Sequence, residues 1–177
     1  MIAKREYAKA LFMLANEENC CDDILLDLRC AVTAVNQNKT YLELLDTPSL
    51  SKEEKISLID EAFSSLSQNV VNLIKILCEK RSTRLLPEIL KEYEALYDDK
   101  FNILRVEAIS ARPMTQEQIE ALKEKLEKEK QKTVVITNTQ DPEILGGLKL
   151  RFAGIQLDGS LKTRLEKIEE SLKSVIV

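Results

Sequence analysis

Seven of the nine residues from Val70 to Cys78 are apolar: Val70, Val71, Leu73, Ile74, Ile76, Leu77 and Cys78. Wound into a helix, such a stretch is apolar on nearly every side and has to be covered on nearly every side. Either it is the central helix of a bundle, or one of its faces is kept for a partner. Both readings require neighbouring helices with apolar stripes.

The flanking sequence supplies them. Tyr7, Leu11 and Leu14 recur at helical spacing, with Ala8, Phe12 and Ala15 beside them. After the polar break at Asn16 to Asn19, a second stripe runs through Ile24, Leu25, Leu28, Val32 and Val35. A short third element, Tyr41 to Leu45, stops before Pro48, because the residue preceding proline is pushed out of helix. Ser51 with Glu54 reads as a capping box opening a fourth helix with Ile56, Ile59, Ala62 and Phe63. The Val70 to Cys78 stretch is the fifth. A sixth starts near Pro87 and carries Ile89, Leu90, Tyr93, Leu96 and Tyr97.

Near residue 103 the period changes from helical to alternating. Leu104, Val106 and Ala108 alternate with Arg105 and Glu107, the pattern of a strand with one wet face. Thr115 and Gln118 form a second capping box before a charged helix with Ile119, Leu122 and Leu126. Val134 to Ile136 reads as a second strand and Leu148 to Phe152 as a third. Between them, Asp141-Pro142 resembles a helix cap with proline at the first helical position, and Gly146-Gly147 ends that brief turn. Ala153-Gly154 turns the chain into a short strand, Ile155 to Leu157. Asp158-Gly159 turns it again, and Ser160 caps a last helix with Leu161, Leu165, Ile168 and Leu172. The expected fold is therefore mainly α with a smaller α+β part: a six-helix bundle over 1–103 and a small strand/helix domain over 104–177.

The chemistry is defined by what is missing. The chain has no histidine, the commonest general base. The adjacent Cys20 and Cys21, with Cys30 and Cys78, lack metal-site spacing. Gly146, Gly147 and Gly154 match no phosphate-binding loop, so neither cofactor nor metal is expected. A net charge of −4 makes a poor nucleic-acid binder, and no apolar run is long enough for membrane insertion. The opening residues lack the apolar stretch of a secretory signal, which leads to the expectation of a cytosolic chain. What remains is a connector, with a stand-alone helical adaptor or an RNA-associated factor as the rival class.

The order of these pieces resembles the delta subunit of bacterial and plastid F-type ATP synthases, equivalent to the mitochondrial oligomycin-sensitivity-conferring protein. The resemblance rests on Tyr7-Ala8-Lys9-Ala10-Leu11, the stretch from Pro48 to Lys55, Arg84-Leu85, Ser110-Ala111, and Gln116 with Gln118. Above all it rests on Asp141, Pro142, Gly146 and Gly147, followed by Gly154 and then Asp158, Gly159, Ser160 and Arg164-Leu165. It implies a non-catalytic stator component, peripheral at the cytoplasmic face of the cell membrane or in the plastid. The N-terminal domain would bind the N-terminal helix of an alpha subunit between its first and fifth helices, and the C-terminal part would engage b-type stalk subunits. Combined with the apolar pattern, this places a groove at Tyr7, Ala10, Leu11, Leu14, Leu73, Ile76, Leu77 and Lys80, spaced as a docked helix requires.

Overall fold

A computed structural model describes residues 2–38, 41, 44, 45, 47, 50–142, 144, 146–152 and 154–159. The chain divides into two compact units, Met1–Asp99 and Lys100–Val177. It is mostly helical, with six helices and one four-stranded sheet among the described residues.

The first unit contains α1 (Ile2–Glu17), α2 (Cys21–Gln37), α3 (Lys52–Ala62), α4 (Gln68–Glu79) and α5 (Leu86–Lys100), with a 3-10 turn at Thr83–Leu85. Of the short helix expected over 41–45, Tyr41, Leu44 and Leu45 have helical backbone, and residues 42 and 43 lie outside the described residues. The stretch expected to need cover is α4. It contacts α1, α2, α3 and the 3-10 turn, and Val70, Val71, Leu73, Ile74, Leu77 and Cys78 are all buried. Ile24, Leu28, Ile59, Ile89 and Tyr93 from the surrounding helices complete the core.

Polar groups aim the helices inside this apolar frame. Ser67 precedes α4 without a side-chain cap of its own. Instead Asp27 of α2 accepts the Ser67 backbone N–H at 2.7 Å, placing a carboxylate at the positive end of the helix dipole. The fully buried Tyr93 of α5 donates its hydroxyl to the Cys21 carbonyl at 3.2 Å and meets the Phe12 ring edge to face at 5.4 Å. One aromatic residue thus ties α5 to both α1 and the start of α2. Tyr41 donates to the Leu58 carbonyl at 3.1 Å and stacks edge to face on Phe63.

The capping box expected at Ser51 is complete. Its hydroxyl accepts the Glu54 N–H at 3.2 Å, and the Glu54 carboxylate accepts the Ser51 N–H at 2.8 Å. Those bonds, the backbone one first, hold Glu54 below the usual carboxylate range. Glu79 and Glu88 are lowered by their hydrogen-bonded lysines, Lys52 and Lys4.

In the second unit, β1 (Ile103–Ser110), α6 (Gln116–Lys130) and β2 (Thr133–Gln140) form a parallel strand pair joined by a crossover helix. The β3 strand (Leu148–Phe152) pairs antiparallel with β1, and β4 (Ile155–Asp158) with β3, giving the order β2-β1-β3-β4. Val106, Val134 and Phe152 from the sheet meet Leu126 of α6 in a small separate core. Thr115 and Gln118 complete the second expected capping box. The β2 strand runs beyond the expected Val134 to Ile136, through Thr137, Asn138, Thr139 and Gln140. Asn138 makes this possible: its amide donates to the Ala108 carbonyl and the Ser110 hydroxyl, and its oxygen accepts the Met114 N–H.

Two tests follow from these bonds. Replacing Ser51 with alanine should cost about 1 kcal/mol of stability, read by thermal or urea unfolding. Because the folded pKa of Glu54 lies below its unfolded value, its contribution is complete above the unfolded pKa and is lost as pH falls through the folded one. The gap between wild type and Ser51→Ala should therefore be constant near neutrality and shrink below about pH 4. At the alkaline end, burial pushes the Tyr41 hydroxyl up to about 12 and raises Tyr93 as well. Raised folded pKa values mean stabilisation that is complete below the unfolded value, about 10, and fades as pH rises towards the folded one. Phenolate absorbance from these two tyrosines should appear together with loss of helical circular dichroism, not ahead of it.

Candidate partner-binding surface

The first unit offers a surface where α1 and α4 meet. The Asn69 amide, in the first turn of α4, donates to the Glu18 carboxylate just past α1 at 2.7 Å. The C-terminal end of α1 therefore meets the N-terminal end of α4, and positions rising along one helix descend along the other. Tyr7, Ala10 and Leu14 fall on one face of α1 by their i, i+3, i+7 spacing, as do Asn69, Leu73, Ile76 and Lys80 on α4.

The eight groove residues expected from the sequence do not share one environment. Leu11, Leu73 and Leu77 are buried, at 4, 5 and 1% exposure. They belong to the core and cannot themselves be a contact surface. The reason is the crowding of α4, whose neighbours on several sides use these leucines internally. Leu14 and Ile76 stand out at 47 and 45% exposure. Ala10 and Lys80 are exposed, and Tyr7 is half-buried against the core. Met13, which the spacing argument did not select, is the most exposed large apolar side chain among the described residues at 63%. It stands at neither i+3 nor i+4 from Tyr7 or Leu11, so the Tyr7, Leu11, Leu14 stripe gave no signal for it.

The C-terminal motif residues shape connections. Asp141 donates its N–H to the Ser110 carbonyl, and its own carbonyl accepts the Ile144 N–H, both near 3.0 Å. This closes a turn at Pro142 where the sequence suggested a brief helical one, and it seats the buried Ile144. Gly146 and Gly147 lead from there into β3. Gly154 turns β3 into β4 at φ +76°, a conformation that costs a side-chain-bearing residue about 1–2 kcal/mol. Gly159 follows Asp158, and its N–H donates to the Leu148 carbonyl at 3.0 Å. A Cβ there would sit 3.1 Å from that oxygen, so the strand end tolerates little else. Ser160, the expected cap, and the helix expected after it lie outside the described residues.

Electrostatics on both units are those of solvated faces. Lys4 pairs with Glu88 at 2.8 Å, and Arg29 grips Glu94 through two nitrogens at 2.9 and 2.7 Å. On α6, Lys123 lies 3.9 Å from Glu127, an i,i+4 contact on the helix surface. Glu127 has a second task, accepting the Val134 backbone N–H at 3.0 Å. Among the described residues, no group of three potential ligands could hold a metal ion, and no helix is long and apolar enough to cross a membrane.

Comparison with known proteins places this architecture. The sequence matches the family described as ATP synthase delta (OSCP) subunit over residues 2–172. It is 39% identical over 178 residues to the ATP synthase subunit delta of Clostridioides difficile, covering 99% of this chain and 98% of the relative. It is 36% identical over 176 residues to that of Caldanaerobacter subterraneus subsp. tengcongensis, again covering 99 and 98%. The fold is similar to that of a chain in the Toxoplasma gondii mitochondrial ATP synthase hexamer, with a TM-score of 0.74 over 97% of this chain and 98% of that one at 19% identity. Sequence, order of elements and fold agree: the chain belongs to the ATP synthase delta (OSCP) subunit family.

Proposed function

We propose that the chain is a non-catalytic stator subunit of an F-type ATP synthase. It links the alpha/beta catalytic head to the b-type peripheral stalk and resists rotor torque during proton-driven ATP synthesis, as a peripheral component at the cytoplasmic face of the cell membrane. The observation that carries this reading is the family match running through both units, over residues 2–172. A linker needs two separate attachment sites, and the division into two compact units supplies two bodies on which to build them. The absence of histidine agrees with a part that transmits force and does no chemistry.

The helical N-terminal unit, α1 to α5 with the short helix expected over 41–45, is the proposed head-binding part, and the α+β unit is the proposed stalk-binding part. On the first, the N-terminal helix of an alpha subunit lies along Leu14, Ile76 and Met13, with Ala10 between the helices and Lys80 and Tyr7 at one end. Leu11, Leu73 and Leu77 hold that strip rigid from beneath. An amphipathic helix presenting apolar residues at i, i+3 and i+7 matches such a strip. The apolar side chains are already ordered by the core, which reduces the entropy lost on docking.

Co-purification of the tagged chain with alpha and b-type subunits tests the linking role; recovery of neither would overturn it. The groove has a sharper test. Ile76→Asp places a charge in the contact while leaving a half-exposed position that the fold can tolerate. It should weaken binding of an alpha N-terminal peptide by about tenfold or more, measured by calorimetry, with thermal stability nearly unchanged. Leu77→Ala should do the reverse at the level of the fold, removing about 2–5 kcal/mol of stability through the cavity it opens. Undiminished peptide binding by a well-folded Ile76→Asp chain would move the site elsewhere.

A further inference from the structure

The seam between α3 and α4 holds a pocket of about 370 Å³. Its α4 wall is Lys75, Cys78 and Glu79. At roughly 100° of rotation per residue, these lie on the side of α4 away from Leu73, Ile76 and Lys80. Its α3 wall is Lys52, Lys55, Ile56 and Ile59, one stripe at i, i+3, i+4 and i+7. Two ion pairs cross the seam, Lys52 to Glu79 and Lys75 to Asp60, each at 2.5 Å. One joins the start of α3 to the end of α4, the other the end of α3 to the middle of α4. The helices are therefore antiparallel and pinned at two levels.

The pocket is apolar inside and cationic at its rim. Leu50 and Ile56 are half-buried and are backed by the buried Ile59 and Cys78. Lys52 and Lys75 are committed to carboxylates, but Lys55 and Arg81 have no ion pair among the described residues. Counting Asp60 with the lining, four cations meet two carboxylates, on a chain whose net charge is −4. Arg81 also occupies a backbone position that favours glycine. The Ser82 N–H donates to the Leu77 carbonyl at 2.8 Å and the Arg81 N–H to the Cys78 carbonyl at 3.0 Å. These bonds close α4 with Arg81 in the left-handed region, at φ +51°. The turn gains nothing from arginine that glycine would not give it.

We propose that this pocket docks an acidic amphipathic segment of a partner protein. An aliphatic side chain of that segment rests on Leu50 and Ile56, and carboxylates flanking it pair with Lys55 and Arg81. Charge complementarity selects the occupant. The guanidinium of Arg81 matches the two oxygens of one carboxylate, and the Lys55 ammonium serves a second as a point charge. A phosphate would draw on the N–H groups at the start of α3, where the capping box already occupies those of Ser51 and Glu54. A nucleotide base would need a ring to stack on, and the lining contains none. The site uses the face of α4 away from Ile76, so it does not depend on the groove at α1.

The full-length chain, followed by methyl and amide NMR, can be titrated to millimolar concentration with the capped peptide Glu-Glu-Leu-Leu-Glu-Glu. Signals of Ile56, Lys55 and Arg81 should shift. The same peptide with glutamine in place of every glutamate should bind about fivefold more weakly or worse. Arg81→Gly removes the cation and suits the backbone, so it should keep or raise the melting temperature while raising Kd about fivefold. Lys55→Gln should raise Kd similarly. An Arg81 with only a structural role would show the reverse for Arg81→Gly: a lower melting temperature and an unchanged affinity. The titration of the wild-type chain needs no variant and stands if either fails to fold. Absence of shifts at Ile56, Lys55 and Arg81 overturns the proposal, as does equal binding of the glutamine peptide. Stronger shifts of the same residues with ATP, or with phosphatidylglycerol vesicles, overturn it in favour of a phosphate ligand or a membrane surface.

Discussion

Everything in the first unit depends on the burial of α4. Six of its residues are withdrawn from water at once, and at roughly 1.5–3 kcal/mol for each large apolar side chain this is a dominant local source of stability. A single helix cannot obtain that burial alone; it needs cover from several directions. α1, α2, α3 and the 3-10 turn provide it. The lengths and stripes of those helices are then consequences. α1 gives α4 Leu11 and the small Ala8 and Ala15, α2 gives Ile24 and Leu28, and α3 gives Ile59. What α4 leaves uncovered is the apolar side chain of Ile76.

The polar devices refine this frame. Asp27 could have stayed a surface carboxylate on α2; by capping α4 across the helix boundary it fixes where α4 begins relative to α2. Tyr93 does the same for α5, with its ring in the core and its hydroxyl on a backbone carbonyl. Leaving either partner unmatched would cost about 1–3 kcal/mol, so these contacts select one packing among the several that apolar stripes alone would permit.

Local rules made much of this legible in the sequence. Both capping boxes, at Ser51 and Thr115, occur as read because every partner lies within four residues. The alternation at Leu104, Val106 and Ala108 located β1, and the tight turn at Gly154 located the β3–β4 hairpin. The groove was only partly legible. Apolar spacing marks a helix face but does not say whether that face is turned inward or outward, so Leu73 and Leu77 could not be told from Ile76. Asp27 and Asn138 were invisible for a related reason: their partners lie 40 and 24–30 residues away. The extension of β2 was missed because Thr-Asn-Thr-Gln carries little apolar signal. Its pairing comes from β1 and from the Asn138 side chain.

The two units present different kinds of surface. In the first, exposed apolar side chains stand on a rigid helical floor, so a partner gains area without ordering the surface it meets. In the second, the core of Val106, Leu126, Val134 and Phe152 is small, and the sheet's capacity for contact lies in its backbone and its rim. A helical surface of this kind discriminates by the shape and spacing of side chains. A strand edge reads little beyond extension, direction and charge. On α4 the exposed bulk of Ile76 is such a side chain, whereas β2 presents eight successive uncharged residues.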